Sequence, residues 1–223
     1  LNIVISIKQI NMTEWGDNKK NIIRDLGKIL LKTDALQFGN FSLSSGKLSP
    51  YYIDLRILPS FPEAMKKALE AYLGLLKNIV GLGNVDVICG IPTSGLIYSA
   101  LIAREVSKPL IYSRKDPKEY GRLRKIEGTL APGSKVTVVD DLATTGDSII
   151  EVIEAIRAEG GEVTDAIILI DRLEGAHQAL KNKGVRLVSL TNIIELTDYL
   201  YEMKLLELEQ ITAIRNQVNS KLK

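Results

Sequence analysis

The chain has 223 residues, with 29 Lys and Arg against 27 Asp and Glu, a formal net charge of +2 and a hydrophobic fraction of 45%. This length suits one α/β domain with a buried core, and the near balance of charge speaks against a nucleic-acid or membrane surface as the main partner. No run reaches the roughly 18 apolar residues of a membrane span, the apolar start LNIVISIKQI lacks a signal peptide's basic lead and cleavage site, and the lone Cys89 excludes an internal disulfide, so a cytoplasmic protein is expected.

Apolar residues Ile22, Ile23, Leu26, Ile29 and Leu30 recur at helical intervals and predict a helix over residues 19–36. The stretch FGNFSLSSGKLSPYYIDLR, rich in glycine and serine, predicts short strands and turns forming a small hood beside the main domain. Pro62 suits the first turn of a helix over residues 62–80, in which Met65 and Tyr72 read as core. From Val85 the pattern becomes strand, loop, helix, repeated. The strands are VDVICG, PLIY, KVTVVD, VTDAIILI and VRLVSL, with helices LIYSALIAREV and SIIEVIEAIRAEG between them. Two helices over residues 191–200 and 205–222 end the sequence. Strands alternating with helices predict a central, mostly parallel sheet flanked by helices. The organisation expected is one domain over residues 1–223: an N-terminal helix and hood (19–60), an α/β core (61–200) and a C-terminal helix (201–223). Trp15, in a polar stretch, is assigned no role, and the single histidine, His177, reads as a surface residue.

Residues 113–134 form the one long interval without periodicity, beyond the usual length of a connection, which predicts a mobile functional loop. It carries Arg114, Lys115, Lys118, Arg122, Arg124 and Lys125. Cys89 lies in an apolar run and reads as a buried structural thiol.

The segment VTVVDDLATTGDS, residues 136–148, is where chemistry concentrates. Its apolar opening suits a buried central strand, and Asp140 and Asp141 fall at that strand's carboxyl end, where open α/β sheets bind ligands. The helix that follows presents unpaired N–H groups and the positive end of its dipole, a natural seat for phosphate. Gly146 permits close backbone approach, and Thr144, Thr145 and Ser148 add hydroxyl donors. Neighbouring strand residues point to opposite faces, so both carboxylates reach one ligand only if the chain turns between them.

This segment resembles the phosphoribosyl-pyrophosphate (PRPP) signature of the type I phosphoribosyltransferases. Three further segments, ALQFGNFSLSSGKLSPYYID, RKDPKEYG and DRLEG, resemble the orotate phosphoribosyltransferases of that superfamily, in their archaeal and eukaryotic form. The eukaryotic proteins fuse this domain to a decarboxylase; a chain of about this length implies the transferase alone. The resemblance implies the type I phosphoribosyltransferase fold and the reaction of orotate with PRPP to give orotidine 5′-phosphate and pyrophosphate with Mg²⁺, for pyrimidine biosynthesis. It implies that Asp140 and Asp141 hold the ribose hydroxyls, and that Leu142, Ala143, Thr144, Thr145, Gly146, Asp147 and Ser148 surround the 5′-phosphate, Asp147 turning away or capping the helix. Loop residues Arg114, Lys115, Lys118 and Tyr120 would close over pyrophosphate, with Lys118 catalytic beside the two aspartates, and would do so across a homodimer interface. Tyr52, Ile53, Thr144 and Arg172 would meet orotate. No dedicated protein metal ligand is implied, because Mg²⁺ keeps waters and takes substrate oxygens.

The sequence departs from the bacterial pattern at Ser44 and Ser94, where those enzymes carry Lys, and at Tyr120, where they carry His. Lys47, Arg122 and Arg124 are candidates for the missing charge. Two alternatives are compatible with the sequence: a transferase for another nucleobase, which shares the signature over residues 136–148, and a PRPP-sensing regulator that binds nucleic acid. The near-neutral charge disfavours the second.

Overall fold

The computed structural model describes residues 12–42, 46, 48–114 and 125–221. Helix α1 spans Met12–Lys32 and buries Ile22, Ile23, Leu26 and Leu30 along one stripe. It begins well before residue 19, the start expected from periodicity. The cause is tertiary: Trp15 is buried against Gly74 of α2 (Pro62–Leu75), where a Cβ would stand 2.2 Å from the indole. Trp15 therefore has a packing role that its polar neighbours hide.

Strands β1 (Leu36–Ser42) and β2 (Leu48–Ile53) pair antiparallel as the hood. A 3₁₀ turn over Leu55–Ser60 leads into α2, which Pro62 opens as expected and which continues as a π turn to Val80.

The main sheet contains β3 (Val87–Gly90), β4 (Leu110–Ser113), β5 (Ile126–Glu127), β6 (Lys135–Val139), β7 (Leu142–Ala143), β8 (Glu162–Asp171) and β9 (Arg186–Asn192). Its order is β5-β4-β3-β6-β8-β9, with β7 also on β8. All pairs are parallel except β4 with β5. Successive strand residues face opposite layers. Ile88, Val139, Ile167 and Leu169 join the core under α1, α2, α3 (Ser94–Val106) and α6 (Ile193–Glu202). Cys89, Val138, Ala166 and Ile168 pack beneath α4 (Asp147–Ala158) and α5 (Ala176–Asn182). The C-terminal α7 (Leu208–Lys221) packs on β2, where the Ser49 hydroxyl donates to Gln217 at 3.3 Å. The α/β fold with a mostly parallel, helix-covered sheet and an N-terminal hood is thus present. No helix among the described residues is long and apolar enough to cross a membrane.

The interval 113–134 is less structureless than its sequence implies. Tyr112 pairs with Glu127 and Ser113 with Ile126, and the Arg114 amide donates to the Lys125 carbonyl at 2.9 Å, closing the loop's neck. A two-residue strand leaves no periodic trace, which is why β5 escapes detection. Residues 115–124 lie outside the described residues.

This topology dictates where a ligand can enter. Chain leaving β3 crosses to β4 on one side, while chain leaving β6 crosses to β8 on the other, so their helices diverge and open a crevice at the switch point.

Candidate active site

A cavity of about 320 Å³ occupies that crevice, walled by the turn after β3 and the turn after β6. On the β3 side, Pro92, Thr93 and Ser94 form the wall. Gly95 lets α3 start against the end of β6: a Cβ there would lie 2.4 Å from the Val139 carbonyl oxygen and 2.9 Å from Asp140 Cα. The Ile91 amide donates to that same Val139 oxygen at 3.1 Å and locks the two strand ends together.

On the β6 side, every residue from Asp140 to Ser148 lines the cavity. The strand breaks at Asp140 and Asp141 and resumes as β7, so the chain turns as the paired carboxylates require. The Asp140 amide donates to Ile167 at 3.1 Å, and the Asp141 carbonyl accepts from Leu169 at 2.9 Å, both on β8. The Asp141 amide donates to the Asp140 carboxylate at 2.9 Å, and the Leu142 amide to the Asp141 carboxylate at 2.8 Å. Tyr72, in the core as expected, reaches the site from below: its hydroxyl donates to the Asp140 carbonyl at 2.6 Å.

Burial pushes the Asp140 carboxyl well above its ordinary range, and the neighbouring Asp141 charge adds to that. Asp141 is raised mainly by burial too, opposed by the Ser94 hydroxyl and by the Leu142 amide. Ser94 is buried, its hydroxyl beside the Asp141 carboxyl.

Gly146 caps α4 in the left-handed region (φ +88°) and packs so tightly on α5 that a Cβ would lie 2.7 Å from Leu180. It has no side chain to satisfy the first amides of α4, which therefore face the cavity as donors. Asp147 is exposed and accepts the Thr145 hydroxyl at 2.7 Å, so it does not cap the helix.

Arg172 stands behind this turn. Its amide donates to the Ala143 carbonyl at 3.0 Å, its guanidinium Nε donates to the Tyr51 hydroxyl at 3.1 Å, and Glu174 forms an ion pair with it at 3.0 Å. The guanidinium also sits 5.0 Å from the centre of the Tyr51 ring. Ile53 is buried in the core, and Tyr52 is exposed on the hood, its ring 5.7 Å from Phe41. Neither lines the cavity. Arg114, at the neck of the loop, pairs with Glu127 at 3.0 Å. Lys115, Lys118, Tyr120, Arg122 and Arg124, like Ser44 and Lys47, lie outside the described residues. His177 is exposed.

One charged lining residue went unnoticed in the sequence. Arg56, on the 3₁₀ turn, reaches the cavity held by Asp54 through two hydrogen bonds of 2.7 Å. The signal available was the D-x-R spacing directly after the YYI strand.

Residues 63–199 match the family described as phosphoribosyl transferase domain. The chain is 38% identical to an orotate phosphoribosyltransferase of Staphylothermus marinus over 202 residues, covering 91% of this chain and 97% of that one. Its structure resembles that of orotate phosphoribosyltransferase from Aeropyrum pernix, with a TM-score of 0.71 and 38% identity, covering 82% of this chain and 99% of the other. It also resembles the UMP synthase of Leishmania donovani, with a TM-score of 0.77 and 31% identity, covering 90% of this chain and 43% of that longer one.

Proposed function

The chain belongs to the phosphoribosyl transferase domain family and, within it, to the orotate phosphoribosyltransferases, and we propose that its crevice joins orotate to the ribose of PRPP on the route to UMP. The observation that carries this assignment to the crevice is the run Asp140–Ser148, all of which lines one cavity at the switch point.

In the reaction a bond forms between N1 of orotate and C1 of the ribose. The bond from C1 to the pyrophosphate oxygen breaks, its electron pair leaving with pyrophosphate, and the N1 proton passes to solvent. Positive charge grows at C1 as the leaving group departs. Asp140 and Asp141 hold the two ribose hydroxyls, and their carboxylates sit where that charge develops. The amides and hydroxyls from Ala143 to Ser148 hold the 5′-phosphate and fix the donor, so that positioning supplies much of the acceleration. Thr144 and Arg172 form the orotate side, beneath the hood strand that carries Tyr52 and Ile53, neither of which lines the cavity itself. Arg172 is anchored to Ala143 through its amide, which couples the base site to the phosphate turn. Arg114, Lys115, Lys118 and Tyr120 close over pyrophosphate from a neighbouring subunit of a homodimer, Lys118 stabilising the leaving group.

The cavity wall offers oxygen donors of the hard type Mg²⁺ prefers, in Asp140, Asp141 and the Thr and Ser hydroxyls. Mg²⁺ keeps waters, so pyrophosphate and ribose oxygens would make up most of its shell. Asp140 and Asp141 would hold it directly or through water, and when bound it would offset charge on pyrophosphate. A single cysteine suits a reducing, cytoplasmic setting; Cys89 is buried, and burial pushes its thiol up to about 12.

The test is to follow orotate's ultraviolet absorbance with PRPP, with and without Mg²⁺, alongside adenine, hypoxanthine, guanine and uracil. Loss of absorbance with orotate alone, dependent on Mg²⁺, is the expected result. Transfer to a purine, or nucleic-acid binding without transfer, would overturn the reading.

A further inference from the structure

Among the described residues lining the crevice, Arg56 is the only cation, against Asp140, Asp141 and Asp147. A wall of this composition repels the polyanion it is proposed to bind, unless donors offset the acids. On the β6 side the amides of α4 do so. The β3 side offers the Thr93 and Ser94 hydroxyls and the first amides of α3, but no cationic side chain of its own.

Arg56 is placed to serve that side. It belongs to the turn Leu55–Ser60, which packs on α2 and α3, and Tyr98 of α3 donates its hydroxyl to the Leu55 carbonyl at 3.2 Å. Because α3 begins at Ser94, the anchor of Arg56 and the β3-side wall are parts of one packed unit. The guanidinium-bearing Arg56 lines the same cavity as Asp140 and Asp141.

Its orientation is built rather than incidental. Nε and Nη2 fork onto the Asp54 carboxylate at 2.7 Å each, and Nη2 lies 3.5 Å from the Tyr52 hydroxyl. Local structure does not need this fork: the turn is capped by the Arg56 backbone amide, which donates to Asp54 at 3.0 Å. An exposed pair of this kind adds little to stability. What it does is fix a planar cation whose Nη1 end has no hydrogen-bond partner among the described residues.

We propose that Arg56, the one cation among the described lining residues, binds the leaving pyrophosphate from the β3 side of the crevice. The proposal rests on the crevice taking PRPP, and it deepens that reading by naming a ligand for one product.

The test uses Arg56→Gln and Arg56→Lys in the full chain, assayed in reverse with orotidine 5′-phosphate and magnesium pyrophosphate. Arg56→Gln should raise the KM for pyrophosphate about 10- to 100-fold, the loss of a hydrogen bond to a charged group, while the KM for orotidine 5′-phosphate moves less than about 2-fold. Arg56→Lys should fall between, because it keeps the charge and loses the fork. An unchanged KM for pyrophosphate, an equal rise in both constants, or a rise confined to orotidine 5′-phosphate overturns the proposal. Calorimetric titration of magnesium pyrophosphate into wild type and Arg56→Gln asks the same question without turnover, and equal affinities overturn it as well. If wild type lacks transfer activity but loses pyrophosphate binding with Arg56→Gln, the assigned reaction fails and the role of Arg56 stands. Should Arg56→Gln not fold, Arg56→Lys decides on the same two measurements.

Discussion

The two turns that leave the sheet at its switch point share one job, to end a buried strand and start a helix, yet they are made of different materials. After β3 the chain passes through Ile91, Pro92 and Thr93 without a charge and starts α3 with Gly95 pressed onto the backbone of its neighbour. After β6 it passes through three aspartates and three hydroxyl residues, all of them facing the cavity. The first turn works by being thin and the second by what it carries. A wall made from glycine and close packing tolerates no added atom, whereas a wall made from side chains tolerates volume and fails when its charge changes.

Four substitutions sharpen this contrast. Asp141→Asn should have the largest effect on rate, lowering kcat by about 10²- to 10³-fold, as loss of a preorganised charge in a water-poor site does. It should also stabilise the unliganded protein. Asp140 and Asp141 are raised above 3.8 in the fold, so their favourable contribution is complete below that pH and is lost as pH rises through their folded values. Ionising the pair in the unliganded fold therefore costs stability. Removing one charge, while keeping an oxygen for the Leu142 amide, should lift Tm by about 2–4 °C, the response to ~1 kcal/mol in a chain of this size. A lower Tm by calorimetry would contradict the burial argument.

Gly95→Ala tests the thin wall. The added methyl meets backbone rather than a yielding side chain, and should cost about 1–3 kcal/mol in urea unfolding and weaken PRPP binding through displacement of Asp140. An unperturbed Kd for PRPP would show that the two turns are not mechanically coupled. Arg172→Lys should raise the KM for orotate about 10-fold, with the KM for PRPP unchanged, because Lys cannot keep both Tyr51 and a planar carboxylate grip. Smallest of all, Tyr72→Phe removes one hydrogen bond to the Asp140 carbonyl and should lower stability by about 1 kcal/mol, with kcat within about 2-fold. A large fall in kcat would mean that the Asp140 carbonyl must be held for turnover.

The inner strands β3, β6 and β8 were legible because they are buried on both faces and read as short unbroken apolar runs such as VTVV and AIILI. The Asp140–Ser148 turn was legible because its chemistry lies in consecutive residues. What escaped depends on distant partners. The first turns of α1 look polar, and only Gly74, far along the chain, explains why Trp15 is buried there. Arg56 reads as one more surface cation until the 3₁₀ turn brings it over the cavity. Tyr72 was legible as core but not as a support of the site, since helical spacing says nothing of where a hydroxyl ends.

Cys89 sits midway along β3, with Ile111 beside it on β4 and Val138 on β6, and it is the chain's sole thiol. Fully buried, with its thiol pushed up by burial, it should resist alkylating reagents while the strands stay joined. The molecule thus has a native probe of its own breathing: the speed of labelling clocks how often the floor of the crevice comes apart.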